Sequence, residues 1–380
     1  MAPNRVPFAD LKLQTQELQS EIDSAIAAVM AHGQFIKGPE VAVFEKAFAA
    51  YCEADFCIGA SNGTSALHAA LHSAGIHADH EVIIPSHTFM ATVESVRQCG
   101  AKPIFADIDE ASMLIDPDSV ESKITPRTRA IVPVHLYGCP VDMDRLNAIA
   151  DRFGLIVIED AAQAHGARWK GQRIGSIGTA ATFSFFPSKN LGAFGDAGGV
   201  TTNDSVLAER CARYVDHGRD SKYTHAEDGT NYRLDTLQAA VLLTKLLRLD
   251  AWNAARQRIA ARYIEILSEE PFTSMDVQWQ TPPDGAEPVY HLFVVRVHSR
   301  DKVVANLTKH GIGTGIHYPV PCHVQRAARD LECPAGSLPV TEAVANQIIS
   351  LPMYPHMSMD QVEIVCEALK ESIHAGASAS

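Results

Sequence analysis

The 380-residue chain has no run approaching the roughly 18 consecutive apolar residues of a membrane-spanning helix. Residues Met1 to Gln14 also lack the basic start and apolar core of a signal peptide, so a cytoplasmic protein with no membrane partner is expected. The cysteines, at 52, 57, 99, 139, 211, 322, 333 and 366, include no C-x-x-C pair. This argues against a zinc site and against a disulfide framework, and the expectation is reduced, mostly buried thiols and no metal. Basic runs are missing too. With a net charge of −13, general nucleic-acid binding is excluded, because its affinity comes from neutralising phosphates. An anionic small molecule is not excluded, since backbone N–H groups and a few Arg or Lys residues suffice to hold one. Internal repeats are absent, and only the tail from Ala375 to Ser380 reads as disordered.

What is present is enough apolar residue, 46% of the chain, for a large core, and the length favours two domains. Residues 15–52 read as two helices, the second opening at Gly38-Pro39-Glu40 and carrying Val41, Phe44, Phe48 and Tyr51 at helical spacing. Next, Phe56 to Leu67 reads as a short strand, the polar turn Ser61-Asn62-Gly63-Thr64, and a helix to about Ser73. Such a turn presents free N–H groups and the positive end of a helix dipole, which suits a phosphate; an ordinary N-cap explains it equally well. From Glu81, apolar strands alternate with amphipathic helices: 82–84, 88–98, 103–108, 130–136, 143–152 and 155–158. That alternation predicts an α/β three-layer sandwich with a mostly parallel central sheet, whose ligands collect beyond the carboxyl ends of the strands.

Two residues at such ends carry chemistry. Asp160 follows the buried run Leu155-Ile156-Val157-Ile158, so its carboxylate belongs at the rim of the core and needs a partner. An N-cap, an arginine, or the protonated nitrogen of a pyridine ring would each serve. Lys189 sits in the turn after the apolar stretch Thr182 to Phe186. A partly desolvated amine there would have a lowered pKa and act as a nucleophile toward carbonyls, whereas a solvated loop lysine would do nothing. Beyond residue 235, a long amphipathic helix over 237–262, a Pro- and Asp-rich loop over 280–288, a strand over 290–297 and a helix near 303–310 suggest a smaller C-terminal α+β domain. The division expected is 1–250 and 251–380.

The order of the motifs resembles the DegT/DnrJ/EryC1/StrS family of pyridoxal phosphate (PLP)-dependent sugar aminotransferases, within the fold-type I superfamily. The matching pieces are Gly38-Pro39-Glu40-Val41, Ser61-Asn62-Gly63-Thr64, Pro85-Ser86-His87-Thr88-Phe89, Val132 to Gly138, Glu159-Asp160-Ala161-Ala162-Gln163-Ala164-His165-Gly166, Phe183 to Gly192, Gly229 to Leu234, and Ile316-His317-Tyr318-Pro319. The resemblance implies that Lys189 binds PLP covalently and shuttles a proton, and that Asp160 pairs with the ring nitrogen. It also implies that Gln163 meets the ring hydroxyl, Phe89 stacks on the ring, and Gly63, Thr64 and Ser184 hold the phosphate. Asn231 would reach the cofactor phosphate of a neighbouring subunit, giving a homodimer with shared sites. His317, Tyr318 and His323 would line the substrate mouth, and Arg219 and Tyr223 would meet a nucleotide diphosphate. The implied reaction carries an amino group from L-glutamate to a keto group of a nucleotide-linked sugar, at C3 rather than C4 from the run Gly313 to Gln325. The alternatives are a non-catalytic binding or regulatory protein on the same fold, and a PLP-dependent sugar dehydratase, which would carry histidine in place of Lys189.

Overall fold

The computed structural model describes residues 5–377. Its centre is a seven-stranded sheet: β1 (Phe56–Ala60), β2 (Glu81–Pro85), β3 (Lys102–Ala106), β4 (Thr128–Ile131), β5 (Ile156–Asp160), β6 (Ala180–Ser184) and β7 (Gly198–Thr202), in the order β1-β7-β6-β5-β4-β2-β3. Strands β2 to β6 pair in parallel. Only β7 runs against its neighbours β1 and β6. Side-chain alternation splits the buried residues between two faces. Ile83, Ile131, Val157, Ala181 and Phe183 point to one core, with Phe44, Phe48, Leu146, Ile149, Ala239 and Leu242 from the helices Pro39–Tyr51, Met143–Phe153 and Thr236–Leu246. Val82, Ile84, Ala130, Ile158 and Ala180 point to the other, against Ala66, Leu67, Leu71, Val93, Val96, Leu207 and Cys211 from Gly63–Ser73, Met90–Gln98 and Ser205–Tyr214. Burial on both faces explains why these strands read as continuous apolar runs.

A second core is built on the antiparallel strands β8 (Gln278–Trp279), β9 (Phe293–Arg296) and β10 (Ile348–Leu351), covered by the helices Arg300–Lys309 and Met359–Ala377. Val6 packs into it and bridges to Ile312, so the chain's beginning belongs with its end. The helix Leu249–Leu267 serves both halves: Trp252 packs with Leu18, Ile22 and Val241, while Ile259, Ala260, Tyr263 and Leu267 join the C-terminal core.

Three expectations are corrected in detail. The long helix expected over 237–262 is two, Thr236–Leu246 and Leu249–Leu267; Leu247 at the break is 86% exposed. The N-terminal region holds three helices, Leu11–Glu17, Gln19–His32 and Pro39–Tyr51, rather than two. The tail expected to be disordered continues the last helix to Ala377; residues 378–380 lie outside the described residues. No described helix is long and apolar enough to cross a membrane, and all eight cysteines are free thiols.

Candidate active site

The carboxyl ends of β2, β5 and β6 and the first turn of the helix Gly63–Ser73 open onto a cavity of about 610 Å³. At one end lies that helix start. The Asn62 side chain accepts from Ser65 N at 2.8 Å, and Ser65 Oγ accepts from Asn62 N at 3.0 Å, a reciprocal cap that fixes the turn. The N–H groups of Gly63 and Thr64 are engaged by no other described residue, so both remain available at the positive end of the helix. Gly63 is required by close approach: a Cβ on it would lie 2.7 Å from the Cβ of Ser184. The hydroxyl-bearing Ser184 at the end of β6 is thereby pressed against the helix start, and together they could hold an anion.

Asp160, 9% exposed, closes β5 on the cavity wall. Its Oδ2 accepts from Thr92 Oγ1 at 3.0 Å and its Oδ1 from Ala162 N at 3.2 Å. No described cationic side chain pairs with it at ion-pair distance. Burial pushes the carboxyl pKa up, opposed by the Ala162 N–H, the Thr92 hydroxyl and the more distant Lys189 charge. Lys189 shares the cavity. Enough protein surrounds its amine that burial lowers its pKa to about 8, against the raising influence of Asp160. Part of the amine is therefore neutral near pH 7.

The lysine's turn is held from behind. Asn190, 1% exposed, donates from Nδ2 to Asn253 Oδ1 at 2.9 Å and to the Val289 carbonyl at 3.0 Å, while its Oδ1 meets His291 Nδ1 at 3.2 Å. Lys245 Nζ donates to the Gly192 carbonyl at 2.7 Å. Gln163 is oriented by Tyr137 N, which donates to its Oε1 at 2.6 Å. Its Nε2 lies 3.4 Å from the Tyr318 hydroxyl. The Tyr137 hydroxyl in turn binds His87 Nε2 at 2.7 Å and donates to the His317 carbonyl. Burial and the Lys189 charge hold the His317 pKa down to about 4 and that of His165 to about 3, so neither ring adds a competing positive charge at neutral pH.

Of the residues singled out in the sequence, the structure brings Lys189, Asp160, Gln163, Ser184, Gly63, Thr64, Phe89, His317 and Tyr318 to this one cavity. The Phe89 ring is 56% exposed and lies 5.6 Å from that of Tyr318. Asn231 is exposed and outside the cavity. Arg219 and Tyr223 belong to the hairpin Arg219–Ser221/Thr224–His225, also outside it; Arg219 pairs with Asp216 at 3.5 Å and Tyr223 is 83% exposed. His323 corrects the expectation of a mouth residue: it is 2% exposed, with both ring nitrogens bound to protein groups. Thr92, Asn190, His291 and Tyr232 were not anticipated. The spacing of Thr88 and Thr92, four residues apart in the helix expected over 88–98, was the available signal for the first; the helix begins at Met90, and the two hydroxyls lie 2.9 Å apart.

Comparison with known proteins follows this geometry. The chain is 48% identical over 367 residues to dTDP-3-amino-3,4,6-trideoxy-alpha-D-glucose transaminase of Streptomyces venezuelae, covering 97% of this chain and 96% of that one. It is 42% identical over 364 residues to UDP-2-acetamido-2-deoxy-3-oxo-D-glucuronate aminotransferase of Pseudomonas aeruginosa, covering 96% and 99%. The crystal structure of DesV from S. venezuelae, in complex with a ketimine intermediate, superposes with a TM-score of 0.94 at 47% identity, covering 97% of this chain and 98% of that one. With residues 16–370 also matching the family profile, the chain belongs to the DegT/DnrJ/EryC1/StrS aminotransferase family.

Proposed function

We propose that the protein is a PLP-dependent aminotransferase of the cytoplasm that takes an amino group from L-glutamate and delivers it to the C3 keto carbon of a nucleotide-linked sugar. One observation carries this: an amine with a pKa of about 8 shares a cavity with a buried carboxylate that has no cationic partner in the described protein. A buried charge left so is costly, and a protonated pyridine nitrogen would satisfy it. The cradle of Gly63, Thr64 and Ser184 fits a phosphate monoester in the same cavity. When bound, PLP supplies an electron sink that stabilises negative charge on the substrate carbon.

The chain's own groups do the rest. Asp160 would keep the ring nitrogen protonated, with Thr92 and Ala162 N–H fixing the carboxylate's orientation. Gln163, its carbonyl end held by Tyr137 N and one amide hydrogen directed at the Tyr318 hydroxyl, has its second amide hydrogen for the ring hydroxyl. Phe89 would cover one face of the ring, a contact worth about 0.5 to 1.5 kcal/mol beyond burial. Lys189 Nζ, titrating near neutrality, accepts a proton from the donor's Cα and in the second half of the cycle returns one to the acceptor's C3. The free thiols suit a reducing compartment. Asn231, exposed and not among the residues that line its own cavity, suits a homodimer in which each copy contributes it to the other's phosphate site. C3 is favoured by the run Gly313 to Gln325 and by relatives that are named for 3-amino and 3-oxo sugars. His317 and Tyr318, which line the cavity, would meet the sugar; Arg219, already paired with Asp216, is not assigned to it.

The test is spectral. The PLP-loaded protein should lose its visible absorbance with L-glutamate. In the reverse direction, dTDP-3-amino-3,4,6-trideoxy-alpha-D-glucose should bleach it at lower concentration than a 4-amino counterpart. No change with glutamate, or a preference for the 4-amino sugar, would contradict respectively the donor and the position.

A further inference from the structure

His323 is buried where a residue of the substrate mouth was expected, and its bonds tie together two segments that continue into the active-site cavity. Its Nδ1 lies 2.7 Å from Ser86 Oγ, its backbone N–H donates to that same oxygen at 3.1 Å, and its Nε2 lies 3.1 Å from Glu342 Oε1. Ser86 Oγ thus meets both the backbone N–H and the ring Nδ1 of His323, while the other ring nitrogen is bound to Glu342. Cys322 adds two more stitches, its N–H to the Ser86 carbonyl at 3.0 Å and its thiol to the Thr88 carbonyl at 3.2 Å. Glu342 is fixed in turn by accepting from Gly336 N at 2.7 Å.

Ser86 lies three residues before Phe89, and His323 five after Tyr318; Phe89 and Tyr318 form one wall of the cavity with their rings 5.6 Å apart. The hydrogen bonds therefore join the two loops just behind the wall they build. On the footing of the aminotransferase function above, we propose that His323 is a positioning residue: through Ser86 it sets the Phe89–Tyr318 wall and so the fit of the sugar substrate, without touching that substrate. Glu342 orients the ring and contributes less. Phe89 also covers one face of the PLP ring, so both half-reactions use this wall, and the nucleotide sugar, the larger substrate, depends on it more than glutamate does.

Four variants of the PLP-loaded protein test this: H323A, S86A, H323N, whose amide takes the place of Nδ1 and keeps a bond to Ser86, and H323Q, whose amide takes the place of Nε2 and keeps only Glu342. With dTDP-3-amino-3,4,6-trideoxy-alpha-D-glucose as the probe, H323A, S86A and H323Q should raise KM about tenfold, the scale of one lost hydrogen-bond contribution. The half-reaction at saturating glutamate should lose clearly less than the sugar half-reaction, and H323N should recover most of the loss. Hydrogen exchange followed by mass spectrometry should show residues 86–89 opening faster in H323A and S86A but not in H323N. This readout needs no turnover, so a wild-type protein inactive as a transaminase would overturn the proposed function while the clamp itself is still measured. An unchanged KM and unchanged exchange in H323A, equal losses in both half-reactions, or rescue by H323Q rather than H323N would overturn the positioning role.

Discussion

Thr92 Oγ1 donates to Asp160 Oδ2 at 3.0 Å from the first turn of the helix Met90–Gln98, so the carboxylate closing β5 is oriented by a residue 68 positions earlier in the chain. The bond favours the ionised carboxyl against the burial that disfavours it. Replacing Thr92 by valine keeps the shape and removes the donor. Asp160 should then hold a protonated ring nitrogen less well, with PLP dissociating about tenfold more readily, on the scale of a hydrogen bond to a charged group. T92S should retain wild-type affinity. Equal affinity in T92V and wild type, measured by titrating PLP into the cofactor-free protein, would show that the hydroxyl is dispensable.

The lysine's turn depends on a residue that never meets the substrate. Asn190 makes three side-chain bonds in a fully buried setting, so N190A leaves groups on Asn253, Val289 and His291 without that partner. A stability loss of about 1 to 3 kcal/mol is expected from denaturant unfolding. Turnover should fall further than the unfolded fraction explains, because Lys189 is the next residue. Loss of stability with full specific activity would separate the turn's rigidity from its chemistry.

Uptake of PLP by the cofactor-free protein should follow the neutral form of Lys189. Because burial lowers this amine's pKa to about 8, the neutral fraction grows as pH rises toward 8 and changes little well above it. The uptake rate should rise and level off accordingly, whereas an unperturbed lysine would still be gaining past pH 10. The negative charge of Asp160 raises the Lys189 pKa, so D160N should move the midpoint to lower pH. A midpoint near 10, or a shift upward in D160N, contradicts the described electrostatics.

Mixing K189A and N231A subunits tests whether sites are shared. Each parent should be nearly inactive alone. Exchange of subunits should produce dimers in which one site has both Lys189 and Asn231, restoring up to about a quarter of wild-type activity for random pairing if the exposed Asn231 serves a neighbour's cavity. If each subunit is self-sufficient, no activity returns.

Much of this site was legible because strand ends can be read from apolar runs. Asp160 follows one, Lys189 lies beyond another, and a parallel sheet gathers such ends on one edge, whereas Ser184, Gln163 and Phe89 were named by the family resemblance. The groups that act through others were not legible: Thr92 and Asn190 look like any polar residue near a helix or turn until the fold brings Asp160 and Asn253 to them. His323 was placed wrongly for a related reason. A histidine in a loop reads as accessible, and only the pairing of the 322–324 turn with residues 86–88 shows that it is enclosed. Likewise Leu247 continues an apolar pattern yet faces solvent, because one helix ends at Leu246 and the next begins at Leu249.

Reduction of the PLP-loaded protein with borohydride, followed by digestion and mass spectrometry, tests the central claim most directly, because it fixes the cofactor to whichever lysine holds it. A single pyridoxyl adduct on Lys189, absent from K189A, is the predicted result. An adduct confined to another lysine, or none at all, would contradict the account.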